Sequence, residues 1–301
     1  MTSTTARRAV RWPALLVAVL LGAGTACSGS GGEHAADGHS ASARPDGTVA
    51  ASAPADPTGS SATGVPGGDV PAEQALRAVE RALREAGSAR VESSTVIKGA
   101  ISLEGKGTIA WRNGFTGVMT LRARSGTAPA VLQQTGTEPL ETRYLSDGFY
   151  SKPGGGMAAA LGDGVWLRYG YEELGKLPGG PGAGFAGQMR DSTPDKAVAA
   201  LLANEDLRRV GEERVRGRGT THWVGTVTST AGSITMRSTV DIWVDDRDLL
   251  VKRVERGNSP AGELFQTAYY SDYGIPVSVE APPAADTVDF VTLLRNTTPR
   301  S

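Results

Sequence analysis

Apolar and polar residues follow two periods along this chain, and the change from one to the other organises it. Between Pro71 and Gly87 the positions Ala72, Ala75, Leu76, Val79, Ala82, Leu83 and Ala86 fall on one face at helical spacing. Pro71 suits a first turn, Gly87 suits a stop, and Glu73–Arg77 and Glu80–Arg84 pair four apart on the outer face. The stripe is narrow and alanine-rich, which suits a helix lying on a sheet; a membrane-surface helix needs a basic polar face and bulky apolar residues.

Beyond Gly87 the period becomes two. Runs at 90–98, 101–111, 115–124, 141–151, 165–169, 207–215, 220–228, 233–244, 249–257, 263–271 and 275–280 read as strands. Asn113-Gly114 and Asp147-Gly148 are dipeptides that tight hairpins favour. Many short strands with close turns predict one large antiparallel sheet, curled or closed to limit exposed edges. Thr193-Pro194 predicts a capped helix with Ala197, Val198, Leu201 and Leu202 on one side, and Asp286 to Leu294 a short closing helix. Residues 71–301 therefore read as one α+β domain.

The N-terminal part has neither period. Arg7, Arg8 and Arg11 precede an uncharged run from Ala14 to Ala26. That run is too short for a bilayer, which needs about 20 apolar residues, and has the length of a signal-peptide core. It ends Gly24-Thr25-Ala26-Cys27, with the only cysteine of the chain. The sequence resembles a bacterial lipobox, although glycine stands at position 24 where leucine is usual. The resemblance implies that residues 1–26 are a signal peptide and that Cys27 becomes the first mature residue and carries diacylglycerol. Two acyl chains suffice for stable anchoring, so the expected address is the outer face of the cytoplasmic membrane.

Residues 28–70 contain 32 Gly, Ser, Ala, Pro or Thr out of 43 and no aromatic residue. Such a segment cannot bury enough apolar surface to offset its ordering entropy. With Cys27 it reads as a lipidated tether over 27–70, with a reach of roughly 35 Å as a flexible coil. His34 and His39 read as part of that spacer.

Removing residues 1–27 takes away three of the 31 basic residues and none of the 32 acidic ones, leaving a mature charge of −4. That balance argues against nucleic acid as a partner. With Cys27 used for lipid no disulfide can form. Arg outnumbers Lys 25 to 6, a composition typical of a high-GC, plausibly actinobacterial, genome. Catalytic motifs are absent from the sequence. His222 is the only histidine after the tether, no Gly-x-Ser-x-Gly turn occurs, and the glycines form no phosphate-binding loop. Asp245, Asp246 and Asp248 lack the spacing of a calcium loop and read as a solvated turn. The expectation is a protein without catalysis, metal or cofactor beyond the Cys27 acyl modification.

Three segments resemble the LolA/LppX superfamily of lipid-carrying lipoproteins over about 71–295. They are Leu145-Ser-Asp-Gly-Phe-Tyr150 with the strand Val165-Trp-Leu-Arg-Tyr169, then Val240-Asp-Ile-Trp-Val-Asp-Asp-Arg-Asp-Leu-Leu250, then Tyr270-Ser-Asp-Tyr-Gly-Ile-Pro-Val277 with Ala281-Pro-Pro283. The resemblance implies a LolA-like half-barrel: a large curved antiparallel sheet whose concave face is covered by the N-terminal helix and one or two short helices, enclosing an apolar cavity for acyl chains. Candidates for its inner face are Ile109, Trp111, Met119, Leu121, Trp166, Trp223, Trp243 and Phe265, as ligand lining or as ordinary core. The glycine-rich stretches Pro153–Gly164 and Gly175–Gly187, with Met157, Leu161 and Phe185, read either as a gate over the mouth or as surface insertions. Bulk at Ala110 or Val118 would obstruct the cavity if either points inward.

Two functional readings follow. One is a membrane-anchored carrier that shelters a lipid or acyl chain. The other is an envelope interaction or sensor module of the same fold with no lipid ligand. The sequence identifies no protein partner.

Overall fold

The computed structural model describes residues 71–125, 139–162, 164–176, 192–204, 206–231, 234–259 and 262–297. The signal, Cys27, the tether and Phe185 lie outside the described residues.

Among the described residues, twelve strands form one sheet. The first six, β1 (Ser88–Ile97), β2 (Ile101–Ala110), β3 (Thr116–Ser125), β4 (Leu140–Leu145), β5 (Gly148–Ser151) and β6 (Trp166–Gly170), run outward from the middle as an antiparallel meander. The next five, β7 (Arg208–Val215), β8 (Arg218–Ala231), β9 (Ile234–Val244), β10 (Leu250–Ser259) and β11 (Gly262–Ser271), run inward from the opposite edge. The two arms join where β11 pairs antiparallel with β1, Thr95 opposite Gln266. The short β12 (Thr287–Asp289) adds to β6 as a parallel partner.

Helix α1 (Ala72–Ala86) lies on one face with Leu76, Val79 and Leu83 buried. Gly87 ends it at φ 67, in the left-handed region that glycine enters without steric cost, and its N–H bonds to the Leu83 carbonyl. Helix α4 (Pro194–Leu202) packs against α1 and against β8. Thr193 occupies its N-cap with extended backbone, but its side chain makes no capping bond. Two short helices, α2 (Gly155–Leu161) and α3 (Tyr171–Gly175), flank β6, and α5 (Phe290–Thr297) closes the described chain.

The strand expected at 275–280 does not form. From β11 the chain must reach β12 at the far edge, seven strand spacings away, or about 34 Å at about 4.8 Å each. It does so as an extended strap that crosses the sheet and cannot join its ladder. The strap is held where Ser88 Oγ donates to the Ile275 carbonyl and the Arg143 guanidinium to the Glu280 carbonyl. The closing helix correspondingly begins later than expected, at Phe290, after a single 3₁₀ turn at Ala284–Asp286 and β12.

Hairpin chemistry also differs at one site. The turn before β5 is Ser146-Asp147, with Leu145 opposite Gly148. Gly148 is therefore a strand residue. A Cβ there would lie 2.7 Å from the Tyr169 carbonyl oxygen, so the glycine permits close approach of β6.

A single main core gathers Leu76, Val79 and Leu83 with residues of both arms, from Phe149 and Leu167 on one side to Trp223 and Ile242 on the other. The sheet is thus curved around α1 and α4. On the opposite face a smaller cluster of Val215, Trp243, Val251 and Val254 forms where the tip of the β7–β8 hairpin folds across the sheet. Arg216 at that tip reaches Glu92 on β1 and lies over the Tyr269 ring.

Candidate functional site

The candidate site is the helix-covered inner face. Alternation along each strand decides which side chains belong to it, since residues directly opposite on paired strands share a face. Ile109, Trp111, Met119, Leu121 and Trp223 all lie there, each below 9% exposure, within the main core. The Trp111 indole donates to the Leu83 carbonyl at 3.0 Å, fixing the end of α1 to the end of β2.

Trp166, Trp243 and Phe265 do not join them. Leu167 and Tyr169 face the main core, so Trp166 and Arg168 point to the opposite side of β6, where the Arg143 guanidinium lies 4.6 Å from the Trp166 ring. On β9, Val240, Ile242 and Val244 face inward, and Trp243 belongs to the outer cluster beneath Lys252. On β11, Ala268 and Tyr270 face inward, and Phe265 is 45% exposed on the outer face beside Arg256. Indole and phenyl rings recruited by cations on the outer face carry the same letters as core aromatics. Ala110 and Val118 likewise alternate outward from Ile109 and Met119.

The glycine-rich stretch 153–164 contains α2, and its Met157 is buried in the main core with Leu161 packed against it. Met157 therefore holds α2 down.

The inner face includes residues that the sequence reading did not single out. An aromatic row crosses one arm: Phe115 to Tyr144 (5.6 Å), Tyr144 to Phe149 (5.8 Å), Phe149 stacked on Tyr169 (4.5 Å) and Tyr169 to Phe290 (4.7 Å). Burial raises the phenols of Tyr144 and Tyr169, the latter to about 12, so both rings remain neutral at physiological pH. Beside β1, Gly105 and Gly107 present no side chain, and Met119 takes up the space. A Cβ on Gly107 would lie 2.8 Å from the Met119 sulfur and 2.0 Å from the Val118 carbonyl oxygen.

The charged candidates lie elsewhere. His222 sits on the outer face, stacked on Trp243 at 4.3 Å, with Nε2 2.8 Å from Asp241 and Nδ1 3.1 Å from Glu213. Its neighbours are carboxylates and a ring, an arrangement that ties β7, β8 and β9 together. The Asp245–Asp248 turn is less solvated than expected. Asp245 is buried, and its Oδ1 accepts from the backbone N–H groups of Arg247 and Leu249, which fixes the β9–β10 turn. No group of three metal-ligating side chains occurs among the described residues.

No family model matches the chain. It is 51% identical over 294 residues, 98% of each chain, to the protein of Streptomyces coelicolor named "Putative lipoprotein SCO4650". It is 38% identical over 244 residues, 73% of this chain and 80% of the other, to an uncharacterized 31.2 kDa protein of Streptomyces griseus. Among solved structures it is similar to LprF from Mycobacterium bovis, at 16% identity and TM-score 0.48, over 70% of this chain and 96% of that one. It is similar to the Mycobacterium tuberculosis lipoprotein LppX at 16% identity and TM-score 0.47, over 71% of this chain and 100% of that one. With half its residues shared along nearly its whole length with SCO4650, the chain belongs to that Streptomyces lipoprotein family.

Proposed function

We propose that this protein is an extracytoplasmic lipoprotein, processed after residue 26, acylated at Cys27 and held at the outer face of the cytoplasmic membrane by the 27–70 tether. There it binds a lipid or acyl chain against the inner face of its sheet, without catalysis. The observation that carries this reading is an apolar inner face that extends well beyond α1 along both arms, where α4 and the shorter helices α2, α3 and α5 cover it. Twelve strands would span about 53 Å if flat, whereas a helix is about 10 Å across. Apolar side chains nonetheless continue along both arms, from Tyr169 to Trp223. Affinity would come from removing methylenes from water, about 0.8 kcal/mol each.

Uptake of a fluorescent fatty-acid methyl ester tests the reading. Ala123, packed against the main core, marks the inner face; Ala110 marks the outer. Ala123→Trp is expected to lower uptake at least tenfold and Ala110→Trp to leave it unchanged. Equal uptake by both folded variants would count against an acyl-chain site.

One observation favours the alternative of an interaction module. Phe265 is 45% exposed beside a groove of about 630 Å³ that also involves Arg256 and Arg237, an apolar ring set among charges on the outer face. Under that reading Phe265→Ser would abolish partner capture and no lipid would copurify.

A further inference from the structure

The inner face is not apolar throughout. Thr95, Gln266 and Glu255 stand directly opposite one another on the neighbouring strands β1, β11 and β10, so they share a face. Thr95 is also opposite Leu103, and Glu255 opposite Val240, both members of the main core. Two residues before Glu255 on the same face, Arg253 lies opposite Ile242 and Ala268, again core residues. The polar row is thus set into the floor of the inner face at the junction of the two arms.

All four side chains are more than nine-tenths buried. Arg253 Nη2 donates to Glu255 Oε2 at 2.5 Å, and Gln266 Nε2 donates to Thr95 Oγ1 at 3.2 Å. Three polar atoms are left over. Arg253 Nε, Glu255 Oε1 and Gln266 Oε1 are buried without a hydrogen-bond partner. Native interiors rarely leave such groups unpaired. Turning the Gln266 amide over would only exchange which of its ends is unpaired. These three atoms are complementary in type, one donor and two acceptors, and sit on adjacent residues of the row.

We infer that this row is a hydroxyl-recognition site, and that the ligand of the inner face is an uncharged lipid bearing hydroxyl groups; the inference rests on the acyl-chain reading above. A hydroxyl both donates and accepts, so a vicinal pair can donate to Glu255 and Gln266 while accepting from Arg253. The Arg253–Glu255 pair is neutral as a unit, which selects against a free carboxylate or phosphate, because either would bring an uncompensated charge beside Glu255. Methylenes then lie along the core residues on either side. Sites built to hydrogen-bond a hydroxyl discriminate strongly against analogues lacking it, because their own buried polar groups then go unpaired.

The test uses the chain from Ser28 onward, without Cys27, and two ligands with the same oleoyl chain, monooleoylglycerol and methyl oleate, competing with a fluorescent fatty-acid methyl ester as reporter. Monooleoylglycerol is expected to bind at least ~10-fold more tightly. Gln266→Leu, and separately Glu255→Gln, should shrink that ratio. Equal affinity of the wild-type chain for both lipids would overturn the hydroxyl site and leave the acyl-chain reading intact. Binding of neither lipid would overturn both. The wild-type ratio decides the matter even if a variant fails to fold.

Discussion

The indole N–H of Trp111 and the carbonyl of Leu83 are joined at 3.0 Å, and through this bond the last turn of α1 is fastened to the sheet. The Leu83 carbonyl also accepts from the Gly87 N–H that closes the helix, and the Trp111 ring meets the edge of Tyr273, whose hydroxyl donates to the Leu250 carbonyl. Two side chains, Trp111 and Tyr273, thus link the helix, β2 and β10 at one end of the inner face. Trp111→Phe keeps most of the ring volume and removes the donor. Because Gly87 still satisfies Leu83, the expected loss is only about 1 kcal/mol, read from the urea midpoint. Trp111→Ala should cost about 3–5 kcal/mol.

Gly107 permits the close approach of β3. With a Cβ there 2.0 Å from the Val118 carbonyl oxygen, Gly107→Ala must move backbone as well as Met119. The expected destabilisation is about 3 kcal/mol or more. Gly211 on β7 has no atom within 4 Å of the same position, and Gly211→Ala should change stability by less than about 1 kcal/mol. Paired denaturation curves check both.

The tip of the β7–β8 hairpin should respond to acid. The Arg216 guanidinium, hydrogen-bonded to Glu92 at 2.8 Å, holds that carboxyl below the usual carboxylate range. A carboxyl whose folded value is depressed stabilises the fold above its unfolded value, near 4.3, and loses that contribution as pH falls through the folded value. Both partners are well exposed, so the effect is small. Wild type should lose slightly more stability than Glu92→Gln between pH 6 and pH 3, measured by urea midpoints. Equal losses would show that the pair does not hold the hairpin tip.

The aromatics on the two faces predict a separation of effects. Trp223 and Trp243 are 6% and 5% exposed and sit on opposite faces of β8 and β9. Trp223→Ala and Trp243→Ala should each cost about 3–5 kcal/mol, but only the Trp223 variant should alter uptake of the acyl ester. Phe265→Ser, at a half-exposed outer position, should leave both stability and uptake nearly unchanged.

Much of the architecture was legible in the chain. The helix at 72–86, its glycine stop and most strand runs follow from periods of 3.6 and 2, because burial on one face imposes them. The parity of each strand was partly legible too: Arg168 shares Trp166's face, and Asp241 shares Trp243's, so the charged neighbour marks those tryptophans as outer. On β11 both parities carry aromatic rings, Phe265 and Tyr269 on one and Tyr270 on the other, and the pattern alone cannot choose. The polar row was hidden by inversion. Along Leu250-Val-Lys-Arg-Val-Glu-Arg256 alternation suggests Val254 inward and its charged neighbours outward. A register shift between Leu250 and Lys252 and the outer cluster around Val251 and Val254 reverse this, turning Arg253 and Glu255 into the interior. The strap at 275–280 reads as a strand because extended backbone alternates whether or not it has a ladder partner.

Native mass spectrometry with lipid extraction would show whether the inner face shelters a lipid. The chain from Ser28 onward, exported behind a cleavable signal and purified from its own cell envelope, carries no anchor lipid of its own. One defined neutral lipid is expected, bound in stoichiometric amount and released on denaturation. An empty protein that also fails to take up labelled acyl chains would overturn the lipid-binding reading.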